Sequence, residues 1–152
     1  MSVPIWKRKL SSAQFIYAVY TLNIRIGEIM ANKPQKYKPN YADDIIKTAL
    51  SCLKHLQIAD SIYFTKYSSA EDYKLRRENL LIARGEVEHI ATACFVFLEI
   101  VKKHDHASER KKKIADQELE IGDLAEKAYK LIGGVLDSDK EIYKTYIRPK
   151  EL

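Results

Sequence analysis

The sequence predicts an all-α protein, an antiparallel up-down-up-down four-helix bundle with an extended basic N-terminal arm. Four long segments carry apolar residues at alternating steps of three and four, the spacing of one helix face. The 152 residues include only five glycines and four prolines, which argues against a turn-rich β-sandwich or barrel. No segment alternates with the period of a strand, and the connections between the four segments are short. We therefore divide the chain into an arm (1–11), a bundle (12–147) and a tail (148–152).

The first helix is predicted over residues 12–31. Pro4 disfavours helix at the residue before it, so the arm is expected to be extended. Ser11 and Gln14 have the spacing of a capping box at the start of the helix, and Pro34 marks its end. The apolar face of this helix consists of Phe15, Val19, Leu22, Ile26 and Ile29.

A basic loop precedes the second helix, which is predicted over residues 41–65. Prolines at both ends exclude a regular helix over 34–39. Asn40 is the predicted N-cap, and Asp43 and Asp44 complement the helix dipole in the first turn. The apolar face consists of Ile45, Ala49, Cys52, Leu56, Ala59 and Tyr63.

The third helix is predicted from residue 70 to about residue 104 and is the longest. Ser69, with Asp72 three residues later, has the pattern of an N-terminal cap. Apolar residues then recur along one face to the end of the segment. That face consists of Leu80, Ala83, Val87, Ile90, Cys94, Phe97 and Val101.

The fourth helix is predicted over residues 108–136, after a short connection that begins at His104. Asp137 and Ser138 interrupt the pattern, so a separate short helix is predicted over 139–146, and Pro149 ends the ordered pattern. The apolar face of the fourth helix consists of Ile114, Ile121, Ala125, Ala128, Ile132 and Val135.

Basic residues are concentrated near the start of the chain. The formal net charge is +5 and the pI is about 9.1. Residues 1–40 hold seven basic residues and one acidic residue, whereas residues 41–152 hold 19 basic and 20 acidic residues. A basic pole on a nearly neutral body suits polyanions such as nucleic acids. A solvated basic surface without a partner is the other interpretation, and charge alone leaves both open.

Tyrosine is unusually frequent, with ten tyrosines against four phenylalanines. Several tyrosines adjoin lysines, as in Lys36-Tyr37-Lys38, Lys66-Tyr67, Tyr73-Lys74 and Tyr143-Lys144. Such pairs suit unstacked bases and phosphates, and they equally suit protein interfaces. They also suit a bundle surface on which the hydroxyl groups reach water. All three interpretations stand at this point.

Cations also gather where the third and fourth helices begin. Arg77 and Arg84 are seven residues apart and share a helix face. Residues 110–113 place four cations in the first turns of the fourth helix, where they oppose its dipole. A local rule broken in this way often marks function. Neutralisation by the nearby carboxylates of Glu109, Asp116 and Glu118 is the alternative.

The sequence carries no recognisable catalytic motif, so we predict no enzyme, no catalytic residue, no metal site and no cofactor. Glu86 and His89 have the spacing of half a di-iron ligand set, but a second Glu-x-x-His is missing. Cys52 and His55 share a helix face that Cys94 could approach, yet cysteines in helical seams are usually plain apolar residues. A carboxylate–metal enzyme therefore remains only a distant alternative.

The chain is expected to be soluble and cytoplasmic, without a membrane partner. Residues 1–12 lack the apolar run of a signal peptide, and no stretch of 18 apolar residues occurs. Two cysteines do not form a disulfide framework and indicate a reducing compartment. Self-association is also expected, because apolar residues lie off the four faces described above. These residues are Ile16, Tyr20, Ile24 and Ile46.

Several short motifs, in order along the chain, resemble one protein family. They are Ser2-Val3-Pro4 with Lys7-Arg8, Tyr20-Thr21-Leu22, Lys36-Tyr37, Ala59-Asp60-Ser61, Arg76-Arg77 and Ser138-Asp139. The family is that of the accessory variability determinants of diversity-generating retroelements. Similar four-helix bundles are encoded within intervening sequences of large-subunit ribosomal RNA genes.

The resemblance implies a ring-shaped homopentamer with a basic surface. Such a ring binds a reverse transcriptase and nucleic acid, and it assists template-primed cDNA synthesis without an active site of its own. The alternative is an oligomeric protein-interaction bundle of the intervening-sequence type, with no reverse transcriptase partner. In the first interpretation, DNA or RNA is bound through phosphate contacts by Lys7, Arg8, Lys9, Lys33, Lys36, Lys38, Arg76 and Arg77.

Overall fold

The computed structural model describes residues 14–104 and 108–151, and within these ranges it contains four α-helices and no strand. The helices pack in the order α1, α2, α3 and α4, and α4 closes the ring against α1. The predicted all-α four-helix bundle is thereby confirmed. The helices are α1 Gln14–Ala31, α2 Asp43–Ser61, α3 Ala70–His104 and α4 Ser108–Ile142.

The core lies between the four predicted apolar faces. All seven residues of the third face are buried, from Leu80 to Val101. Several positions differ from the prediction, among them Phe15, which is only partly buried, and Met30, which is buried although it lies off the predicted face. Ile16 is fully buried rather than exposed, Tyr63 is 87% exposed because α2 has already ended, and Leu136 rather than Val135 is the buried residue near the end of α4. A helix in a globular bundle buries a stripe wider than a strict heptad seam, which explains Ile16.

Helices α2 and α3 contact each other along their full common length. The His89 ring lies 3.0 Å from the Asp44 carboxylate, and the Cys52 thiol lies 3.4 Å from the Ala83 carbonyl. Near the other end of α2, Arg76 donates to the Ala59 carbonyl at 3.2 Å. Residues with higher numbers on α2 therefore contact residues with lower numbers on α3.

The segment before α2 is helical, although irregular. A 3₁₀ turn at Gln35–Tyr37 and a π turn at Lys38–Ala42 lead into α2 without a side-chain cap. The predicted cap at Asn40 is wrong because the chain is already turning helically there, with Pro39 in the first turn, where its missing N–H is harmless. The predicted end of α2 at residue 65 is also wrong, since Ile62 is extended.

The start of α3 is capped as predicted, because Ser69 Oγ accepts a hydrogen bond from the Asp72 backbone N–H at 3.1 Å. In contrast, the separate helix predicted over 139–146 is wrong. Helix α4 runs on to Ile142 and continues through a π turn at Tyr143–Ile147 and a 3₁₀ turn at Arg148–Glu151. The buried Asp139 belongs to this continuous helix and faces α3 rather than starting a new one.

Two parts of the prediction fall outside the described ranges. They are the arm (1–11), which includes the capping-box residue Ser11, and the middle of the connection between α3 and α4. Among the described helices, none combines the length and the apolar character that a bilayer crossing requires.

Candidate nucleic-acid interface

One end of the bundle is formed by residues 32–42, the end of α3 and the start of α4, and we call it the lysine end. Two tyrosines of the loop fix it to α3. The Tyr41 ring stacks on Phe97 with centroids 3.9 Å apart, and the Tyr37 ring meets Phe97 edge-on at 4.8 Å. Phe97, Val101 and Ile114 form a small buried cluster beneath these rings. The loop is therefore packed against both long helices.

Lys33 is the one lysine of this loop whose ammonium group points inward. Its Nζ lies 2.7 Å from Glu118 Oε1 of α4 and 5.0 Å from the centroid of the Phe97 ring. Both charged side chains are almost completely buried. The Tyr41 hydroxyl donates to the other carboxylate oxygen of Glu118, and it lies 3.5 Å from the Cys94 thiol. The predicted phosphate contact of Lys33 requires an ammonium group that faces solvent. In this arrangement the ammonium group is buried against Glu118.

Burial keeps the neutral groups of this cluster protonated. Burial, together with the nearby Cys94 and Glu118, raises the pKa of the Tyr41 hydroxyl well above its ordinary range. Burial, with Glu118 as the next cause, raises the pKa of the Cys94 thiol to about 12. Neither group is a nucleophile at neutral pH, because nucleophilic attack requires the ionised form.

The remaining lysines of this end face solvent or lie half-buried. Lys36 extends over the Tyr37 ring with Nζ 4.8 Å from its centroid, and Lys38 is half-buried. The end of α3 contributes Lys102 and Lys103, and the Lys102 ammonium lies 3.3 Å from the Glu99 carboxylate. The start of α4 contributes Lys111, Lys112 and Lys113.

One of the cations at the start of α4, Lys111, contacts the end of the neighbouring helix. Lys111 Nζ donates to the Lys102 carbonyl of α3 at 3.1 Å. That carbonyl is among the last of α3, where the helix dipole favours a cation. The unfavourable effect of Lys111 on the dipole of its own helix is therefore offset by its contact with the neighbouring helix.

The other end of the bundle is formed by the α2–α3 loop, the first turns of α3 and residues 139–151, and we call it the tyrosine end. Arg76 lies inside it, half-buried. Its guanidinium pairs with the Asp139 carboxylate at 2.6 Å and 3.4 Å and donates to the carbonyls of Ala59 and Ile62 at 3.2 Å each. Arg76 thus closes the C-terminus of α2. The N–H groups of Arg76 that make these bonds are the same ones that a phosphate contact would require.

Arg77, the other predicted arginine, is also half-buried. Its guanidinium lies 3.4 Å from the Tyr73 hydroxyl and 6.0 Å from the centroid of the Tyr73 ring. The Tyr73 ring in turn stacks on Tyr143 with centroids 4.2 Å apart. Arg77 therefore borders an aromatic layer at the tyrosine end.

The structure separates the predicted contact residues into two groups. Lys36 and Lys38 flank Tyr37, whose ring contacts Phe97 of α3, whereas Arg76 and Arg77 lie about 20 residues earlier on that helix, roughly 30 Å away. The arm residues Lys7, Arg8 and Lys9 lie outside the described ranges. Within one chain, the described residues therefore form two basic regions rather than one.

Sequence reasoning missed cations at both ends. Lys102 and Lys103 at the end of α3, and Lys144, Arg148 and Lys150 in the last turns, were not among the predicted contact residues. The signal that could have found the second group was the pairing of tyrosine with lysine, since Lys66-Tyr67 and Tyr143-Lys144 both belong to the tyrosine end, where Lys66 also lies over the Tyr146 ring.

The residues considered for metal or catalysis have separate partners. His55 Nδ1 lies 2.8 Å from the Ser51 carbonyl and 3.2 Å from Glu86, while His89 pairs with Asp44 on the bundle surface. Burial, with Glu86 as the second cause, raises the pKa of Cys52 to about 12. In the described part of the chain, no three His, Cys, Asp or Glu side chains come together in a way that could hold a metal ion.

The apolar residues expected to mediate self-association are mostly used internally. Ile16 is buried, and Tyr20 and Ile46 pack half-buried against the core, so only Ile24 is substantially exposed, at 48%. A larger exposed apolar group lies elsewhere, near the lysine end of α3 and α4. It consists of Phe95, Val96, Ile100 and Leu119.

Comparison of the chain with models of protein families, with curated proteins and with solved structures finds no match.

Proposed function

We propose that this protein is a non-enzymatic, oligomeric adaptor that binds nucleic-acid phosphates through its lysine end. The observation that carries the proposal is the convergence of lysines from three elements on that end, namely the loop, the end of α3 and the start of α4. Phosphates are recognised by such sets of ammonium groups irrespective of base sequence. We place the protein in the cytoplasm, where its free and buried cysteines stay reduced.

The architecture proposed for the adaptor is an antiparallel up-down-up-down bundle with the basic arm at its start. The opposite numerical order of the α2–α3 contacts supports antiparallel packing of that pair. In such a bundle, Lys36 and Lys38 lie about one helix length from Arg77, as described above. A continuous basic surface that joins them then requires neighbouring subunits, so binding and self-association are linked.

Self-association is proposed through the exposed apolar residues of α3 and α4. Phe95 is 63% exposed, Val96 55% and Leu119 53%, and they border grooves between or along the two helices. A second copy is the partner we assign to this face, because the resemblance implies a homopentamer. Phe95→Glu should reduce the oligomer to smaller species in light scattering, whereas Ile24→Glu, on α1, should not.

A reverse transcriptase is the proposed protein partner, and assistance of template-primed cDNA synthesis in a diversity-generating retroelement is the proposed role. The support is the order of short motifs that resemble the accessory variability determinants. The alternative is an oligomeric protein-interaction bundle of the ribosomal intervening-sequence type, without a reverse transcriptase. A reverse transcriptase gene with a repeat pair beside the gene for this chain would favour the first.

The binding proposal is tested by mobility shift at several salt concentrations. Log affinity should fall with log salt, with a slope near −0.9 for each phosphate contacted on duplex DNA. The variant Lys36→Ala with Lys38→Ala should flatten that slope by about two units and weaken two unrelated duplex sequences equally. Lys130→Ala is the matched control, since Lys130 is exposed and pairs with Glu126 on α4.

Two results would contradict the proposal. If wild-type protein binds no nucleic acid at low salt, the protein-interaction alternative becomes the better interpretation. If Lys130→Ala changes the slope as much per charge as the loop variant does, binding depends on net charge and not on the lysine end.

A further inference from the structure

We infer that the tyrosine end is a second binding site, which takes the unpaired bases of single-stranded nucleic acid. This second site lies on a different surface from the lysine end, and it can be tested independently of the binding proposed there. The inference begins from three tyrosine rings that the fold leaves open to solvent. Tyr63 is 87% exposed, Tyr67 78% and Tyr146 46%, and all three belong to the α2–α3 loop or the last turns of the chain.

The open rings are accompanied by lysine ammonium groups. Tyr67 has Lys66 Nζ at 5.1 Å and Lys150 Nζ at 5.9 Å from its ring centroid. Lys66 also lies 5.9 Å from the centroid of Tyr146, so one ammonium group is shared by two rings. The loop and the last turns, which are distant in sequence, are thereby brought to one surface. Aromatic faces with cations beside them are the elements of a sequence-tolerant single-strand site.

A layer of packed aromatic residues supports this surface from below. Tyr73 stacks on Tyr143 at 4.2 Å, Phe64 lies 5.7 Å from Tyr73, and the Arg76 guanidinium lies 5.8 Å from Phe64. These rings are half-buried and have their partners within the protein. They hold the loop against the last turns, which sets the spacing of the open rings without using those rings.

The charge around the open rings favours a polyanion. Residues 62–69 and 139–151 carry five cations (Lys66, Lys140, Lys144, Arg148 and Lys150) and three carboxylates (Asp139, Glu141 and Glu151), of which Asp139 is paired with Arg76. Glu151 accepts a hydrogen bond from the Tyr143 hydroxyl at 3.1 Å. Glu71 and Asp72 follow in the first turn of α3, where their negative charges repel phosphates. We therefore expect a phosphate backbone to lie along the last turns of the chain and not along the start of α3.

Single strands are the favoured ligand because only unpaired bases offer a free face to a tyrosine ring. In a duplex the base faces are stacked on each other, so an exposed ring gains nothing from them. Stacking on an aromatic side chain contributes about 1–3 kcal/mol per base, which is roughly a five- to 150-fold change in affinity. The site is therefore expected to prefer strands that have bases over strands that have only phosphates.

The test compares two probes of equal charge. One is a short oligo(dT), and the other is an abasic sugar–phosphate strand of the same length, both bound to the full chain. Wild-type protein should bind oligo(dT) about tenfold more tightly than the abasic strand. Tyr67→Leu with Tyr146→Leu should remove most of that preference and leave the affinity for the abasic strand unchanged.

The matched control is Tyr129→Leu. Tyr129 is 38% exposed and has Arg84 over its ring at 5.5 Å, but it lies on α4 away from the loop and the last turns. The preference for oligo(dT) should survive this substitution. Lys36→Ala with Lys38→Ala should weaken both probes by the same factor, so failure of the lysine end is distinguishable from failure of this site. Thermal unfolding of each variant shows whether it is folded.

Two outcomes would overturn the inference. Equal binding of the two probes by wild-type protein would exclude base stacking at any tyrosine. An unchanged ratio between the two probes in the Tyr67→Leu, Tyr146→Leu variant would exclude these rings from base binding and leave the surface to a protein partner.

Discussion

The two ends of the bundle each hold one buried ion pair to a carboxylate of α4, and the pairs differ in how completely they are satisfied. At the lysine end, Lys33 meets Glu118 with both side chains almost completely buried. At the tyrosine end, Arg76 meets Asp139 with exposed fractions of 13% and 7%. The guanidinium also donates to two carbonyls at the end of α2, whereas Lys33 Nζ has no well-aligned hydrogen bond within the described residues.

The difference follows from the shapes of the two cations. A guanidinium presents five donors in a planar fork, so one Arg76 side chain serves a carboxylate and two carbonyls together. An ammonium is a compact, strongly hydrated charge that loses more on burial when its donors are not all used. At the tyrosine end, Arg76 therefore also caps the C-terminus of α2. At the lysine end, Lys33 and Glu118 only compensate each other's charge.

Removal of the Glu118 carboxylate should have the largest effect. Glu118→Ala leaves Lys33 buried without its counter-charge and deprives the Tyr41 hydroxyl of its acceptor. Loss of one partner of a buried pair lowers the free energy of unfolding by about 3–5 kcal/mol. Chemical unfolding measures the loss.

The double variant Lys33→Met with Glu118→Gln is the control. It removes both charges and keeps an acceptor for Tyr41, so it should recover most of the lost stability. A double variant as unstable as Glu118→Ala would show that this pair stabilises the fold in its own right, and the contrast between the two ends would be wrong.

Arg76→Lys should have the next largest effect. Lysine keeps the charge near Asp139 but cannot reach the carboxylate and the carbonyls of Ala59 and Ile62 together. Hydrogen bonds to charged groups contribute about 1.5–3 kcal/mol each, so we expect a loss of about 2 kcal/mol in chemical unfolding. Arg77→Lys should change stability by less than about 0.5 kcal/mol, because the Arg77 guanidinium contacts the Tyr73 side chain rather than a carboxylate and two carbonyls. Equal losses for the two substitutions would remove the capping role from Arg76.

The apolar faces could be predicted from sequence because helical periodicity alone determines them. The face from Leu80 to Val101 was predicted completely. The pairs at the two ends could not be predicted, since Arg76 and Asp139 are 63 residues apart and only packing brings them together. Lys33 and Arg76 were therefore interpreted as surface cations. From the sequence, Glu118 is assigned to neutralise the cations at the start of the fourth helix and Asp139 to begin a short helix, so neither carboxylate is matched with its actual partner.

The same contrast appears at the helix starts, where local signals compete. Ser69 caps α3 at the tyrosine end, whereas α2 at the lysine end begins from a π turn in which Asn40 is exposed and makes no cap. The prolines on either side of the loop impose φ values compatible with helical turns, and those turns run straight into α2. A capping residue has no role where the preceding turn already supplies the backbone geometry.

Substitution of the Ser69 cap should have the smallest effect of the three. Ser69→Ala leaves the Asp72 N–H without its side-chain acceptor, and loss of such a cap lowers stability by about 1 kcal/mol. Ser69→Asp should restore most of this, because a carboxylate accepts the same bond and favours the positive end of the helix dipole. Asn40→Ala should be within about 0.5 kcal/mol of wild type, since Asn40 is exposed and does not cap α2. Chemical unfolding of the three variants decides the matter: a loss at Asn40 equal to that at Ser69 would mean that the lysine end is capped in solution as its sequence first indicated.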